Sequence, residues 1–448
     1  MAKKLWGGRF SKPIDPGFED FSRSIHYDAA LAEYDIMHSI LHVKALFHAE
    51  LLDKTESGEL HQALNDLLNR VYKGEFAPDP GEEDIHSAVQ NELERSVGKL
   101  ALKLHTLRSR NDQIAFDVKL YAFSRGLNIL QKLIDVIASF RLLSEKYPSA
   151  PFIGYTHTQR AQIIRFADYC KAYASMFGRD SERVRHFLDH LNIRIGAGAL
   201  AGSSIPYTAY EKAVLEYDPE NEYGIEALEN ALDHVADRDF VIELLSVLSI
   251  VQMHLSRFSE DMILYSTAEF DYVDLPEEFC TGSSLMPHKK NADMMELIRG
   301  HSGTVAGDLV SLLVTMKGLP LSYNRDMQLD KEPLFRSVDL VEKEMDLIAR
   351  FVPGIELKEE KIRLALQDEH LYGVEIAEFL VHHGAAFRDA HDIVGKLIRY
   401  SEENDCKLRD IPHDKLTEFH PFLAQEALKE IMTPDYAVRQ KKSVKREK

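Results

Sequence analysis

The sequence predicts an all-α protein built around a bundle of long helices. Apolar residues recur every three or four positions over long stretches, prolines separate these stretches, and no run of alternating β-branched residues requires a central sheet. The 448 residues suffice for roughly two to four domains. A content of 45% hydrophobic and 28% charged residues is typical of globular proteins.

Two long helices stand out. From Phe240 to Met262 the apolar positions form one stripe through about six turns, and no proline interrupts the chain between Pro219 and Pro276. A second long helix follows residues 108–113 and is ended by proline at 148. We expect one face of it to carry Leu130, Leu133, Ile134, Ile137 and Phe140.

The apolar stripes also bear on assembly and domain organisation. Helices striped on more than one side have more apolar surface than one chain can cover, which favours a multi-subunit helical core; a large monomeric bundle is the alternative. We expect an N-terminal helical domain over residues 1–107 and a central helix-bundle domain over 108–355. A C-terminal helical domain with a basic tail should follow over 356–448.

Composition excludes several classes of partner. A formal net charge of −19 argues against a nucleic-acid partner, since phosphate binding needs a basic surface. Three widely spaced cysteines fit a reduced cytosol and argue against a structural zinc site. The N-terminus lacks the apolar core of a signal peptide, and polar residues interrupt the most apolar stretch, 240–255. We therefore expect a cytoplasmic protein without a membrane partner.

Polar motifs precede several of the predicted helices. Asp84 and His86 in "EDIH" open one of them, where acids alone are typical of helix capping. In "RSRNDQ", Ser109, Arg110 and Asn111 combine hydroxyl, guanidinium and amide donors at a helix start, which suits carboxylate recognition; a charged, solvated helix start is the alternative.

Three further stretches do not indicate a function when each is considered alone. "GYTHTQRAQ" places a histidine in a dense polar cluster after a Pro-Gly break, and "SYNRDMQLDK" is undecided by itself. The glycine-rich "GAGALAGSSIP" is not interpreted as a dinucleotide fingerprint, because no strand is expected before it. We expect its glycines instead to let the backbones of two helices approach each other closely.

The densest motif is "GSSLMPHKKNADMMEL", residues 282–297. It combines two hydroxyls, an imidazole, two lysines, an amide and two carboxylates behind a glycine. We interpret this stretch as holding a proton-abstracting serine and a clamp for a dicarboxylate.

Taken in order, these motifs resemble those of the fumarase/aspartase superfamily and, within it, of the argininosuccinate lyase and δ-crystallin family. The superfamily signature GSSxMPxKxN is met at every fixed position of 282–291. "LWGGRF", "RSRNDQ" and the double lysine favour the argininosuccinate branch. The chain departs from the family pattern where Leu107, Thr158, His288 and Ala292 replace the usual Gly, Leu, Gln and Pro.

The resemblance implies a reversible anti-elimination of argininosuccinate to L-arginine and fumarate, the last step of arginine biosynthesis, with no metal or organic cofactor. It assigns Ser283 as the base and Lys289 to stabilise the aci-carboxylate that forms. His157, paired with Glu296, orients the substrate or acts as the acid. The motifs and the resemblance together predict these substrate-binding residues: Ser24, Asp28, Asp84, His86, Ser109, Arg110, Asn111, Thr156, Ser284, Asn291, Tyr323, Gln328 and Lys331.

The resemblance further implies a homotetramer whose active sites are shared between subunits. Two alternatives remain. One is another lyase of the superfamily, of the adenylosuccinate lyase or fumarase type. The other is a non-catalytic, crystallin-like structural protein, against which the retained Ser283, His157, Lys289 and Glu296 argue.

Overall fold

A computed structural model describes residues 12–443 of the chain. The "LWGGRF" motif and the last five residues of the basic tail lie outside this range. The described residues form eighteen α-helices, six short strands and several 3₁₀ turns. The predicted all-α class is confirmed.

The helices are α1 (Pro16–Phe21), α2 (Ile25–Asp28), α3 (Ala32–His48), α4 (Lys54–Tyr72), α5 (Ile85–Val97), α6 (Arg110–Lys146), α7 (Phe166–His190), α8 (Tyr207–Tyr217), α9 (Ala231–Ala236), α10 (Asp239–Ser266), α11 (Asp293–Met316), α12 (Lys331–Phe351), α13 (Glu359–Ala365), α14 (Gly373–His382), α15 (Phe387–Glu403), α16 (His413–Phe419), α17 (Gln425–Ile431) and α18 (Pro434–Gln440). The strands are β1 (Pro151–Thr156), β2 (Gln159–Arg165), β3 (Ile193–Ile195), β4 (Ile225–Ala227), β5 (Val273–Asp274) and β6 (Glu356–Leu357).

The strands form pairs only. β1 and β2 are an antiparallel hairpin, β3 pairs with β4 in parallel, and β5 pairs with β6 in antiparallel. Within residues 12–443 no sheet has more than two strands, in agreement with the sequence prediction.

The chain groups into two compact units. The first comprises residues 1–133, 179–253 and 300–345, and the second comprises 134–178, 254–299 and 346–448. The three-domain division expected from the sequence stays a prediction.

In the first unit, α3 packs against α4, α5 and α8. Most of α3 is buried, and its buried residues include the polar Asp35, His38, Ser39 and His42. Buried polar side chains need hydrogen-bonding partners. This helix is therefore expected to organise a polar network.

In the second unit, α14 packs against α15 and α17, and α18 packs against the β1–β2 hairpin. Thr433 caps α18 by accepting a hydrogen bond from the Tyr436 N–H, and Pro434 occupies the first turn, where its missing N–H costs nothing. The C-terminal helices thereby support the hairpin that carries His157.

The apolar stripe predicted for α10 is confirmed, because all of its members are buried: Phe240, Leu244, Val247, Leu248, Val251, Leu255, Phe258 and Met262. The face predicted for α6 was partly wrong: Ile134 is 42% exposed, and the buried stripe runs through Ile129, Leu133, Val136 and Phe140. Two neighbouring stripes of α6 are apolar, and helical periodicity alone does not say which of them faces the core.

Among residues 12–443, α10 alone is long and apolar enough to cross a membrane by length and composition. In its most apolar window, 56% of the residues are buried inside the protein. Buried core helices of globular proteins meet the same criterion, so the criterion gives only weak support for a membrane span.

Candidate active site

The signature motif forms a loop that is closed at its base. Thr281 and Asn291 pair in a β-bridge through two backbone hydrogen bonds of 3.1 and 2.8 Å. The Asn291 Nδ2 donates to the carbonyl of Gly282 at 3.3 Å, and the Thr281 hydroxyl donates to Asp293. The residues between the two ends of the bridge are thus held as one unit.

Ser283 lies inside this loop and is half-buried. Its Oγ accepts hydrogen bonds from the N–H groups of Met286 at 3.0 Å and Leu285 at 3.3 Å. Donors directed at a hydroxyl oxygen stabilise the oxygen further when it carries negative charge. The local backbone therefore favours ionisation of this serine over that of an ordinary surface serine.

The two adjacent lysines differ in their surroundings. The Lys290 Nζ is 3.0 Å from Asp274 Oδ1 and 2.5 Å from the Leu275 carbonyl, which ties it to the loop base. Lys289 is exposed, and no ion pair of its side chain occurs in the described part of the chain. Ser284 and Glu296 are exposed as well, Glu296 in the first turn of α11. Lys289 is thus the lysine free to meet an anionic ligand.

His157 lies at the tip of the β1–β2 hairpin, next to the exposed Thr156. His157 and Thr158 form a two-residue turn in which both φ angles are positive, 53° and 58°. This is the φ pattern of a type I′ turn, which normally selects Asn-Gly, and a β-branched threonine is strained there. The strained turn projects the imidazole into solvent. Strain of this kind is typical of functional sites.

The predicted pairing of His157 with Glu296 is not formed inside the described chain. Between residues 12 and 443 no hydrogen bond or ion pair joins these side chains to each other or to Ser283. The role of each residue stays a prediction.

A second group of predicted residues is brought together in the first unit. The Ser24 hydroxyl donates to Asp28 Oδ2 at 2.5 Å, and the other carboxylate oxygen accepts from the Ile85 N–H at 3.1 Å. Asp84 caps α5 through the Ser87 N–H at 2.7 Å. Asp28 and Asp84 therefore lie together at the start of α5.

The pKa values of Asp28 and Asp84 shift in opposite directions because their neighbours differ. Burial raises the pKa of Asp28, although the charge of His86 and the Ser24 hydrogen bond oppose this. Burial also acts to raise the pKa of Asp84, but the charges of Arg110 and His86 outweigh it and lower that pKa. Arg110 Nε is 3.2 Å from Asp84 Oδ2. Asp84 is thus held ionised beside a guanidinium.

The start of α6 is held by the glycine-rich loop. Asn111 Nδ2 donates to the Ala199 carbonyl at 3.3 Å, and the Ser109 Oγ accepts from the Asn111 N–H at 3.3 Å. The Ala197 N–H donates to Asp112 Oδ1 at 3.1 Å, and burial raises the pKa of Asp112 to about 6. The loop backbone can approach this carboxylate closely because residues 196 and 198 are glycines with positive φ.

Two sequence interpretations are corrected here. A three-residue strand, β3, does precede the glycine-rich loop, although none was expected. The loop also packs on the Asp112 side chain, whereas helix-to-helix approach was expected. A dinucleotide fingerprint is still not supported, because β3 pairs with only one other short strand and no helix opens directly after the glycines.

Lys331 is buried, and its Nζ is 2.7 Å from Asp330 Oδ1. Arg238, also buried, places its Nε 2.6 Å from the other carboxylate oxygen, Asp330 Oδ2. Arg238 and Asp330 were not predicted from the sequence. The signal available in the sequence was an arginine flanked by two aspartates, just before the long apolar helix. The charge of Arg238 also acts on Tyr323, whose pKa is raised by burial.

Gln328 Nε2 donates to the Ser22 carbonyl at 3.1 Å and to the Tyr27 hydroxyl at 3.3 Å, beside Ser24. The predicted substrate-binding residues of the first unit thus form one polar region rather than scattered surface positions. It contains both carboxylates and cations, as a zwitterionic ligand requires.

Leu107, directly before "RSRNDQ", has a φ of 58°. The family usually has glycine there, and a leucine in the left-handed region costs about 1–2 kcal/mol. The departure thus introduces backbone strain and removes no functional group.

Comparison with known proteins identifies the family. A lyase family model matches residues 8–307, and an argininosuccinate lyase C-terminal model matches residues 371–439. An argininosuccinate lyase of Caldanaerobacter subterraneus is 40% identical over 430 residues, 96% of this chain and 96% of the relative. The chain belongs to the argininosuccinate lyase family. A member from Chloroflexus aurantiacus is 42% identical over 415 residues, 92% of this chain and 88% of the relative.

Solved structures of lower identity show the same fold. An EDDS lyase in complex with formate has a TM-score of 0.79 at 22% identity, covering 95% of this chain and 85% of that one. A fumarate lyase:delta crystallin of Brucella melitensis bound to cobalt has a TM-score of 0.77 at 18% identity, covering 95% and 92%. Membership of the family confirms the resemblance indicated by the motifs and the expected lyase class.

Proposed function

We propose that this argininosuccinate lyase family member cleaves argininosuccinate reversibly to L-arginine and fumarate, the last step of arginine biosynthesis. The observation that carries the proposal is the closed signature loop, in which two backbone N–H groups donate to Ser283 Oγ. Identity of about 40% to curated argininosuccinate lyases over nearly the whole chain supports the choice of substrate.

Ser283 removes the proton from the carbon next to a carboxylate of the succinyl half. That proton is barely acidic, so the carbanion must be stabilised as an aci-carboxylate with extra negative charge. Donors arranged in advance where charge develops provide such stabilisation. Lys289 supplies the cation and Ser284 a further donor, while Asn291 holds the loop base through Gly282. The C–N bond then breaks, and the arginine half leaves.

The polar region of the first unit binds the remainder of the substrate. Asp28 and Asp84 suit the cationic guanidinium and ammonium groups of the arginine half, and Arg110 and Lys331 suit carboxylates of the substrate. His157, with Glu296 of a second subunit, orients the substrate or acts as the proton donor.

A direct assay tests the reaction. The purified protein is mixed with argininosuccinate, and fumarate is followed by its ultraviolet absorbance, with arginine measured in parallel. We expect equal amounts of both products. Product from adenylosuccinate or malate, with none from argininosuccinate, would instead support another lyase of the superfamily. No turnover of any of these substrates would support a crystallin-like role.

We further propose that the protein is a cytoplasmic homotetramer with active sites shared between subunits. The exposed apolar residues near the end of α11 support the assembly: Val310, Leu313 and Val314 are between 45% and 57% exposed, and their spacing of three and four residues places them on one face of the helix. Contiguous apolar surface of this kind is typical of subunit interfaces.

Light scattering tests this assembly. We expect the mass of four chains for the wild type and a smaller assembly for Val314→Glu, because the substitution places a charge on the apolar face of α11. Leu215→Glu is the matched control, since Leu215 is 66% exposed on the short helix α8 and its replacement should leave the mass unchanged. A fully active wild-type monomer would contradict both the tetramer and the shared site.

A further inference from the structure

We propose that Asp35 is a positioning residue of the proposed active site, which fixes His86 and, through Gln113, Arg110 by means of one carboxylate oxygen. The inference rests on the proposed function. Asp35 lies on the buried helix α3 and was not among the residues predicted from the sequence.

The contacts form a ring in the first unit, made of three hydrogen bonds, one ion pair and the backbone between Asp84 and His86. His86 Nδ1 is 2.9 Å from Asp35 Oδ1, and the Gln113 amide donates to the same oxygen. The Gln113 Oε1 accepts from Arg110 NH1 at 2.9 Å, and Arg110 Nε is 3.2 Å from Asp84. Asp84 is two residues before His86 on the same segment, which completes the ring.

Some members of the ring are buried, and others are partly exposed to solvent. Asp35, His86 and Gln113 are each no more than 1% exposed. The Arg110 and Asp84 side chains remain 27% and 14% exposed. Ligand would therefore meet Arg110 and Asp84, while Asp35 acts on them from inside the protein. Asp35 is assigned to positioning because its Oδ1 is occupied by His86 and Gln113.

Asp35 and Asp117 are neighbouring buried carboxyl groups whose pKa values shift in opposite directions. Burial acts to raise the pKa of Asp35, but the charge and hydrogen bond of His86 lower it below the usual range. Burial and the negative charge of Asp35 raise the pKa of Asp117 well above its usual value. The pKa values of the two carboxyl groups thus shift in opposite directions, which makes Asp35 the stronger acceptor for both donors.

Asp35 also fixes the proton of the imidazole. A carboxylate at Nδ1 holds the N–H there and leaves Nε2 for another partner. His86 Nε2 is buried and has no hydrogen-bond partner in the protein. The charge of His86 acts on both Asp28 and Asp84, which places the ring within range of the proposed substrate region. Asp35 therefore fixes which nitrogen of His86 carries the proton and how the ring is oriented near the proposed substrate region.

The same geometry is compatible with a metal site, because Asp35, His86 and Asp117 offer three ligand atoms within 4.8 Å of one another. Two observations favour the hydrogen-bonded ring. The oxygen and nitrogen that face each other, Asp35 Oδ1 and His86 Nδ1, already bond to one another. The charge of the half-buried Arg108 also acts on both carboxyl groups, so that a metal cation placed there would be repelled.

The test is Asp35→Asn, which keeps the shape of the side chain but removes its charge and one acceptor. We expect KM for argininosuccinate to rise at least about tenfold, with a smaller fall in kcat, because supporting partners of this kind contribute about 10–100-fold. Asp218→Asn is the matched control: Asp218 is also buried and accepts two backbone N–H bonds, of 2.8 and 2.9 Å. Its replacement should lower stability and leave KM unchanged.

Gln113→Leu removes only the link from Asp35 to Arg110 through the Gln113 amide. This variant tests the proposal even if Asp35→Asn does not fold. We expect a raised KM there too, and a double variant whose effect is less than the product of the single effects, because both act through one oxygen. An unchanged KM in either single variant, or multiplicative effects, would overturn the proposal. Loss of activity on chelation with recovery on adding a divalent cation would also overturn it, in favour of a metal site.

Failure of the proposed function is a separate outcome. It would appear as a wild type that forms no fumarate from argininosuccinate. Crystal structures of the wild type and of Asp35→Asn then decide the role of Asp35 independently: a turned His86 ring and a displaced Arg110 are expected, and unchanged positions would refute it.

Discussion

Ser283→Ala should abolish fumarate formation while substrate still binds. The substitution removes the oxygen that accepts the proton, and base catalysis of this kind contributes about 10²–10⁴-fold to the rate. The loop should keep its shape, because the Thr281–Asn291 bridge and the Lys290 contacts with Asp274 and Leu275 do not involve the serine side chain. Steady-state assays measure the loss of turnover, and calorimetric titration with argininosuccinate measures binding.

Ser284→Ala is the comparison variant, since it removes the neighbouring, exposed hydroxyl. We expect a smaller loss there, chiefly in transition-state stabilisation. If Ser283→Ala forms fumarate at the wild-type rate, another group is the base, and the N–H groups around Ser283 serve only to shape the loop.

Mixing two inactive variants should restore activity. In the proposed tetramer each site takes His157 and Ser283 from different subunits. After dissociation and reassembly of His157→Ala with Ser283→Ala chains, about a quarter of the sites at equal mixing should contain both intact residues. Neither parent alone has any such site. The rate of fumarate formation across mixing ratios measures the recovery, which should be greatest at equal proportions.

The same two variants mixed without dissociation are the control and should stay inactive. Hybrid tetramers can be verified by mass spectrometry of differently tagged chains. Recovery absent from verified hybrids would mean that His157 and Ser283 act from one subunit, or that one of them takes no part in the reaction.

Many residues of the polar region in the first unit could be predicted from the sequence only because they belong to recognisable motifs. Asp84, Arg110 and Lys331 belong to such motifs, and in the structure Asp84 pairs with Arg110 while Lys331 pairs with Asp330. Asp35 and Arg238 belong to none, and each looks like an ordinary polar residue of a helix or its entry. Only their contacts with residues 51 and 92 positions away, His86 and Asp330, show their place in the network.

The sequence by itself determined the all-α class, the length of α10 and its buried stripe, and the signature loop, because helical periodicity, proline and glycine act over a few residues. Tertiary structure decided which stripe of α6 is buried and that His157 and Thr158 share a turn with positive φ. It also decided that Asp35 joins His86 to Arg110 through Gln113. Those features depend on free energies of burial and hydrogen bonding between segments far apart in the chain, which local sequence does not encode.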